Sequence, residues 1–79
     1  MRWWMGFAPR DDRMLKKRSF TLSGHRTSVA LEAEFWAVID QTAQREGISL
    51  AALVARIDAS RGERPLASAL RLYALAARP

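Results

Sequence analysis

The chain has 79 residues, of which 49% are hydrophobic and 27% are charged, and it contains no cysteine. A domain of this size buries only about 60% of the surface that its unfolded chain exposes. Without cysteine it has neither a disulfide nor a thiolate metal site to add stability, so packing or a second subunit must supply it.

The formal net charge of +5 lies in the N-terminal third of the chain. Residues 1–28 hold seven basic and two acidic residues, whereas residues 29–79 hold six of each. A basic end attached to a neutral body predicts a surface for a polyanion. The ordinary alternative for such a charge run is a solvated tail.

Residues 1–15 are predicted to be a flexible leader before a domain over residues 16–79. The opening MRWWMGFAP has too short an apolar stretch for a signal peptide, and no small-residue cleavage site follows it. Met14, which opens MLKKRS, is a candidate for the true start of translation. No apolar run approaches the about 18 residues of a membrane span, so we expect a cytoplasmic protein.

The stretch RSFTLSGHRTSVALE is the only part of the chain with an alternating pattern. Even-numbered positions are apolar in residues 19–23, but the odd-numbered Val29 and Leu31 are apolar in residues 26–31. The change occurs at Gly24, which indicates a bulge or a turn. Two short strands and one bent strand both fit this pattern.

Three amphipathic helices are predicted after the strand region. The first covers residues 32–46, with apolar residues at helical spacing, and Gly47 ends it. Ser49 has the side chain of an N-cap for the second helix, which ends at Gly62. Pro65 stands in the first turn of the third helix.

The third helix is predicted to be apolar on two faces and therefore to need two neighbours, which a small monomer hardly supplies. Its faces are Leu66, Leu70 and Tyr73, and Leu72, Leu75 and Ala76. A strand without a partner in its own chain also leaves backbone groups unsatisfied. Pairing with the same strand of a second copy across a two-fold axis solves this problem.

The segments KRSFTLSGHRTSVALEAEFW, REGISLAALV, IDASRG and LASALRLYAL resemble the ribbon-helix-helix superfamily, and more closely a compact bacterial ribbon-helix-helix domain family of unassigned role. The resemblance covers roughly residues 16–76. It implies a mainly α homodimer with an intersubunit antiparallel β-ribbon and an additional C-terminal helix. It also implies a DNA-binding transcriptional regulator that inserts the ribbon into the major groove.

Carried onto this sequence, the resemblance implies that Arg26, Ser28 and Ala30 face the bases, and Arg26 is the strongest candidate because it can bridge the acceptors of a guanine. The implied phosphate contacts are Lys16, Lys17, Arg18, Ser49, Leu50 and Ala51. Ser49 is expected to cap its helix whether or not DNA binds. The implied dimer core is Val29, Leu31, Phe35, Ile39, Leu53, Val54 and Ile57.

An enzyme, a cofactor and a metal site are not expected. His25 has no recognisable nucleophile beside it, and Asp58 is interpreted as a helix-end partner of Arg61. The segment IDASRG could also close the second helix onto the third. The alternative function is a protein-interaction or adaptor module that keeps the dimer without sequence-specific DNA binding, since Ala30 is a weak base contact and the third helix is rich in apolar surface.

Overall fold

The computed structural model describes residues 15–78. The strands are β1 (Leu15–Leu22) and β2 (His25–Glu32), and the helices are α1 (Ala33–Glu46), α2 (Leu50–Ser60) and α3 (Leu66–Ala77). The two-stranded sheet followed by helices confirms the predicted architecture, including the additional C-terminal helix. The expected leader lies outside the described residues except for Leu15, which already belongs to β1.

The two strands form an antiparallel hairpin, in register from Leu15 opposite Glu32 to Leu22 opposite His25. Ser23 and Gly24 connect them, with φ angles of 52° and 81°. A two-residue turn with both φ angles positive matches the twist of the flanking strands, which favours a tight hairpin. The two-strand alternative is therefore correct. The partner strand of β2 belongs to the same chain, whereas we expected it from a second copy.

The hydrophobic core lies between one face of the hairpin and the three helices. β1 contributes Phe20 and Leu22, while α3 contributes Leu70 and Ala74, all of them buried. The residues expected in a core between two copies are packed here inside one chain, because β1 and α3 cover them. Of these, Phe35 is partly buried, and the buried ones are Val29, Leu31, Ile39, Leu53, Val54 and Ile57.

The connections between helices are tight. Gly47 has a φ of 70° and ends α1, where its N–H and that of Ile48 bond to the carbonyls of Gln44 and Ala43. Only Ser49 then separates Ile48 from α2, and its Oγ accepts a hydrogen bond of 3.0 Å from the amide of Ala52. Ser49 is thus the N-cap that the sequence predicts.

The segment after α2 is held by Arg61. Its Nε donates to Asp58 at 2.6 Å and its Nη1 donates to the carbonyl of Arg64 at 2.7 Å. The expected Asp58 and Arg61 pair is present, and the same guanidinium also fixes the turn that leads into Pro65, the N-cap of α3. Both interpretations of IDASRG therefore describe one hydrogen-bonded closure.

Candidate nucleic-acid interface

One face of the hairpin is exposed and polar, and we call it the outer face of the ribbon. Side chains of a strand alternate between two faces, so the buried Phe20, Leu22, Val29 and Leu31 define the inner face. The register then places four cross-strand pairs on the other side, of which Leu15 with Glu32 lies at the open end of the ribbon, and the three pairs nearer the turn make up the outer face. These pairs are Lys17 with Ala30, Ser19 with Ser28, and Thr21 with Arg26.

The outer face is rich in hydrogen-bonding groups. Five of its six residues are exposed, and Ala30 is half-buried. The hydroxyls of Ser19 and Ser28 lie 3.0 Å apart at its centre. Lys17 and Arg26 give the six positions two positive charges and no negative one. This surface offers donors, acceptors and cations on a ribbon two strands wide.

The structure brings together all three residues for which the resemblance implies base contacts, because Arg26, Ser28 and Ala30 are alternate residues of β2. The sequence reasoning missed the contribution of β1. The alternation in residues 19–23 puts Ser19 and Thr21 on the polar face of their segment, but it does not by itself join them to the polar residues of β2. The signal that would have found them is a hairpin turn at Gly24.

Arg18 lies on the inner side of the ribbon, which by alternation is also the side of Lys16, whereas Lys17 lies on the outer face. Its guanidinium donates to both carboxylate oxygens of Asp40, at 2.9 and 3.3 Å. It also lies 4.7 Å from the centre of the Trp36 ring, a cation–π distance. Arg18 thus ties β1 to α1.

Lys16 is exposed near the start of β1, and its carbonyl accepts a 2.8 Å hydrogen bond from the indole Nε1 of Trp36. Trp36 is only 2% exposed and its ring also packs against Phe20, with centroids 6.0 Å apart. Trp36 therefore fixes the position of β1 on the helices. Lys17, one residue further on, points to the outer face.

The N-terminus of α2 presents the amides of Leu50 and Ala51. The first amides of a helix have no acceptor within the helix, and Ser49 Oγ takes only that of Ala52. The two free amides suit an anion. They lie in the first turn of α2 and not on the outer face of the ribbon.

Glu32 ends β2 and joins the ribbon to α3. Its Oε1 accepts a 3.0 Å hydrogen bond from Nε of Arg71. Hydrogen bonding from the backbone amide of Glu32 itself, and then from Arg71, lowers the pKa of the Glu32 carboxyl below its ordinary value of 4.5. The carboxylate therefore stays charged to a lower pH than that of an ordinary glutamate, and it is paired with Arg71 away from the centre of the outer face.

None of the helices within residues 15–78 has the length and apolar character needed to cross a membrane. In comparisons with known proteins, the sequence family described as a ribbon-helix-helix domain matches residues 15–77, which is most of the chain. No curated protein and no solved structure is significantly similar. Ribbon-helix-helix domains are in general DNA-binding, non-enzymatic domains that typically dimerise. The match, the two-stranded ribbon and the helices that follow it agree: this chain belongs to the ribbon-helix-helix domain family.

Proposed function

We propose that this protein is a DNA-binding transcriptional regulator whose ribbon enters the major groove with its outer face toward the bases. The observation that carries the proposal is the division of the hairpin into two faces. One face carries the four buried apolar residues that pack on the helices, while the three pairs of the outer face are mostly exposed, polar and cationic. The major groove is about 12 Å wide and admits a two-stranded ribbon.

The side chains of the outer face suit different tasks. Arg26 can donate two hydrogen bonds to the acceptors of guanine, which is the commonest specific contact of proteins with DNA. The paired hydroxyls of Ser19 and Ser28 can donate to or accept from several bases. Ala30 offers only a methyl group, which suits the methyl of thymine. Lys17 stands beside it and can reach a phosphate.

Phosphate contacts beyond the outer face are proposed for Lys16 of β1 and for the amides of Leu50 and Ala51. Arg18 is left out of this set because its guanidinium is held by Asp40. Contacts of this kind fix the position of a protein on the duplex and add affinity for all sequences.

A protein-interaction module is the second candidate. It is favoured by Leu72 and Leu75, the exposed large hydrophobic residues within residues 15–78. A variant of the outer face that no longer binds DNA distinguishes the two candidates. If this variant still retains a protein partner after nuclease treatment, the protein-interaction module is supported over the DNA-binding regulator.

The test is selection of bound duplexes from a random pool, followed by anisotropy titrations with the selected sequence. We expect Arg26→Ala to weaken binding to the selected sequence by about fivefold to 150-fold, since a bidentate base contact contributes about 1 to 3 kcal/mol. Arg64→Ala is the matched control, because Arg64 is equally charged and exposed but lies in the α2–α3 turn. Absence of binding at low salt, or equal losses in the two variants, would reject the proposal.

A further inference from the structure

A cleft with a volume of about 350 Å³ opens between α2 and α3, and we call it the α2–α3 cleft. It shares no lining residue with the outer face of the ribbon. Helical spacing brings its lining residues to one side of each helix, since Arg56 and Ser60 are four residues apart on α2, and Ala69 and Tyr73 are four apart on α3. Its volume lies within the range of small-molecule sites, about 300 to 1,000 Å³.

The charged lining of the α2–α3 cleft is basic. Three arginines line it, Arg56, Arg61 and Arg64, and no acidic residue does. Two of them have a carboxylate beside them, because Arg56 pairs with Glu46 at 2.7 Å and Arg61 pairs with Asp58 at 2.6 Å. Arg64 is exposed and forms no ion pair within residues 15–78. Counted with the two carboxylates, the cleft keeps one net positive charge.

Many of the arginine N–H groups are unused. Each guanidinium has five of them, and within residues 15–78 Arg56 uses only Nη2, whereas Arg61 uses Nε and Nη1. The Nη1 bond of Arg61 goes to the carbonyl of Arg64, so these two arginines are adjacent. Unused N–H groups on neighbouring guanidiniums suit a negatively charged ligand with several acceptor oxygens.

Apolar side chains complete the cleft. Ile57 and Ala69 are buried and therefore lie at its bottom, and Tyr73 is partly buried. Leu72, which also lines the cleft, is 46% exposed. An exposed leucine beside free guanidiniums offers an apolar contact next to an ionic one. The lining thus fits a ligand that joins an anionic group to an apolar body.

We propose that the α2–α3 cleft binds a small phosphate monoester, with the phosphate on the three arginines and an apolar body against Leu72 and Tyr73. A phosphate group fits better than a carboxylate, because it has three terminal oxygens and a charge of about −1.5 to −2 at pH 7. It can therefore accept hydrogen bonds from several guanidiniums at once. The site lies apart from the outer face of the ribbon and does not depend on the proposed function.

The experiment is an NMR titration of the ¹⁵N-labelled full-length protein with phenyl phosphate at low salt. We expect saturable shifts at the amides of the residues that line the cleft. Three further compounds each lack one feature of this probe. Benzoate has a carboxylate in place of the phosphate, inorganic phosphate has no apolar body, and phenol has no charge at neutral pH. Each of the three should bind more weakly than phenyl phosphate.

Substitutions separate the two parts of the site. Arg64→Ala should weaken binding of phenyl phosphate and of inorganic phosphate by about tenfold, the size of a charge-assisted hydrogen bond that solvent partly screens. Leu72→Ala should weaken phenyl phosphate by about threefold and leave inorganic phosphate unchanged, because it removes only apolar contact. Arg26→Ala is the matched control, since it removes the same charge from an exposed position outside the cleft. The amide spectra of the variants check that they remain folded.

Shifts that do not saturate, or equal losses in Arg64→Ala and Arg26→Ala, would overturn the proposal, because they would indicate general attraction of anions to a basic protein. Binding of benzoate as tight as that of phenyl phosphate would overturn the assignment of the phosphate. A loss of DNA affinity in Arg64→Ala as large as its loss of phenyl phosphate affinity would assign these arginines to DNA instead. If phenyl phosphate binds as expected but no DNA is bound, only the proposed function fails.

Discussion

At the scale of single residues, Glu32 connects three elements. It ends β2, precedes the first residue of α1 and accepts a hydrogen bond from Arg71 of α3. Its side chain is 40% exposed and that of Arg71 is 34% exposed, so solvent screens the pair and its contribution stays below about 1 kcal/mol. The pair matters for position, since it fixes the angle between the ribbon and α3.

We predict that Glu32→Gln lowers the free energy of unfolding by less than about 1 kcal/mol at neutral pH. The folded state lowers the pKa of Glu32, so its stabilisation is present above the ordinary value of 4.5 and is lost as the pH falls through the lower folded value. The difference between wild type and variant should therefore vanish at acid pH. Urea titrations at several pH values measure it.

Glu63→Gln is the control for this experiment, because Glu63 is exposed in the α2–α3 turn and forms no ion pair within residues 15–78. Its variant should follow the wild type at every pH. A Glu32→Gln difference that stayed constant from neutral to acid pH would show that the effect is one of packing and not of charge.

At the scale of elements, the turn of the hairpin depends on Gly24. Its φ of 81° is left-handed, and a Cβ placed there meets no atom within 4 Å. Gly24→Ala should therefore cost only backbone strain, about 1 to 2 kcal/mol in unfolding free energy. Ser23→Asn is the matched change, since Asn followed by Gly is the preferred pair for this turn.

The measurement is thermal or urea unfolding of both variants, with Gly24→Ala expected to be less stable and Ser23→Asn at least as stable as wild type. Because Ser19, Thr21, Arg26 and Ser28 keep their faces only while the hairpin keeps its register, Gly24→Ala should also weaken DNA binding. Unchanged stability of Gly24→Ala would mean that another turn geometry serves equally well.

The hairpin was only partly predictable from the sequence, although its signal was present. In a hairpin with a two-residue loop, each even-numbered residue of one strand lies opposite an odd-numbered residue of the other. The shift of the apolar residues from even to odd positions at Gly24 is therefore what a hairpin requires. The same change also fits a bulge in one strand, and periodicity alone does not separate the two. The three helices were easier to predict, because Gly47, Ser49 and Pro65 favour helix ends through their own backbone and side-chain properties.

Contacts between residues that are far apart in the sequence could not be predicted from local patterns. Nothing local links Arg18 to Asp40, or Trp36 to the carbonyl of Lys16, because these partners are 22 and 20 residues apart. As a result, the sequence predicts a contact of Arg18 with a DNA phosphate, whereas its guanidinium bonds to Asp40. For the same reason the cluster that includes Leu53 and Ile57 was attributed to a dimer, although the chain buries it alone.

At the scale of the whole molecule, the described structure separates two kinds of surface. The outer face of the ribbon is polar and cationic, whereas the solvent side of α3 exposes the apolar side chains of Leu72 and Leu75. Each copy contains a complete two-stranded ribbon. Two copies related by a two-fold axis would therefore present two ribbons, which predicts DNA sites made of two inverted halves.

The salt dependence of DNA binding distinguishes the roles of Lys17 and Arg26. A side chain that neutralises one phosphate contributes about 0.9 to the slope of log K against log salt, whereas a contact to a base edge changes affinity without releasing counterions from a phosphate. We therefore expect Lys17→Ala to flatten the slope by about 0.9 and to weaken binding to all sequences alike. Arg26→Ala should keep the slope and lose the preference for the selected sequence, and Arg64→Ala should change neither.

Anisotropy titrations at several salt concentrations, on selected and random duplexes, measure both quantities. Equal flattening by Lys17→Ala and Arg26→Ala would show that the ribbon lies along the phosphates and does not enter the groove.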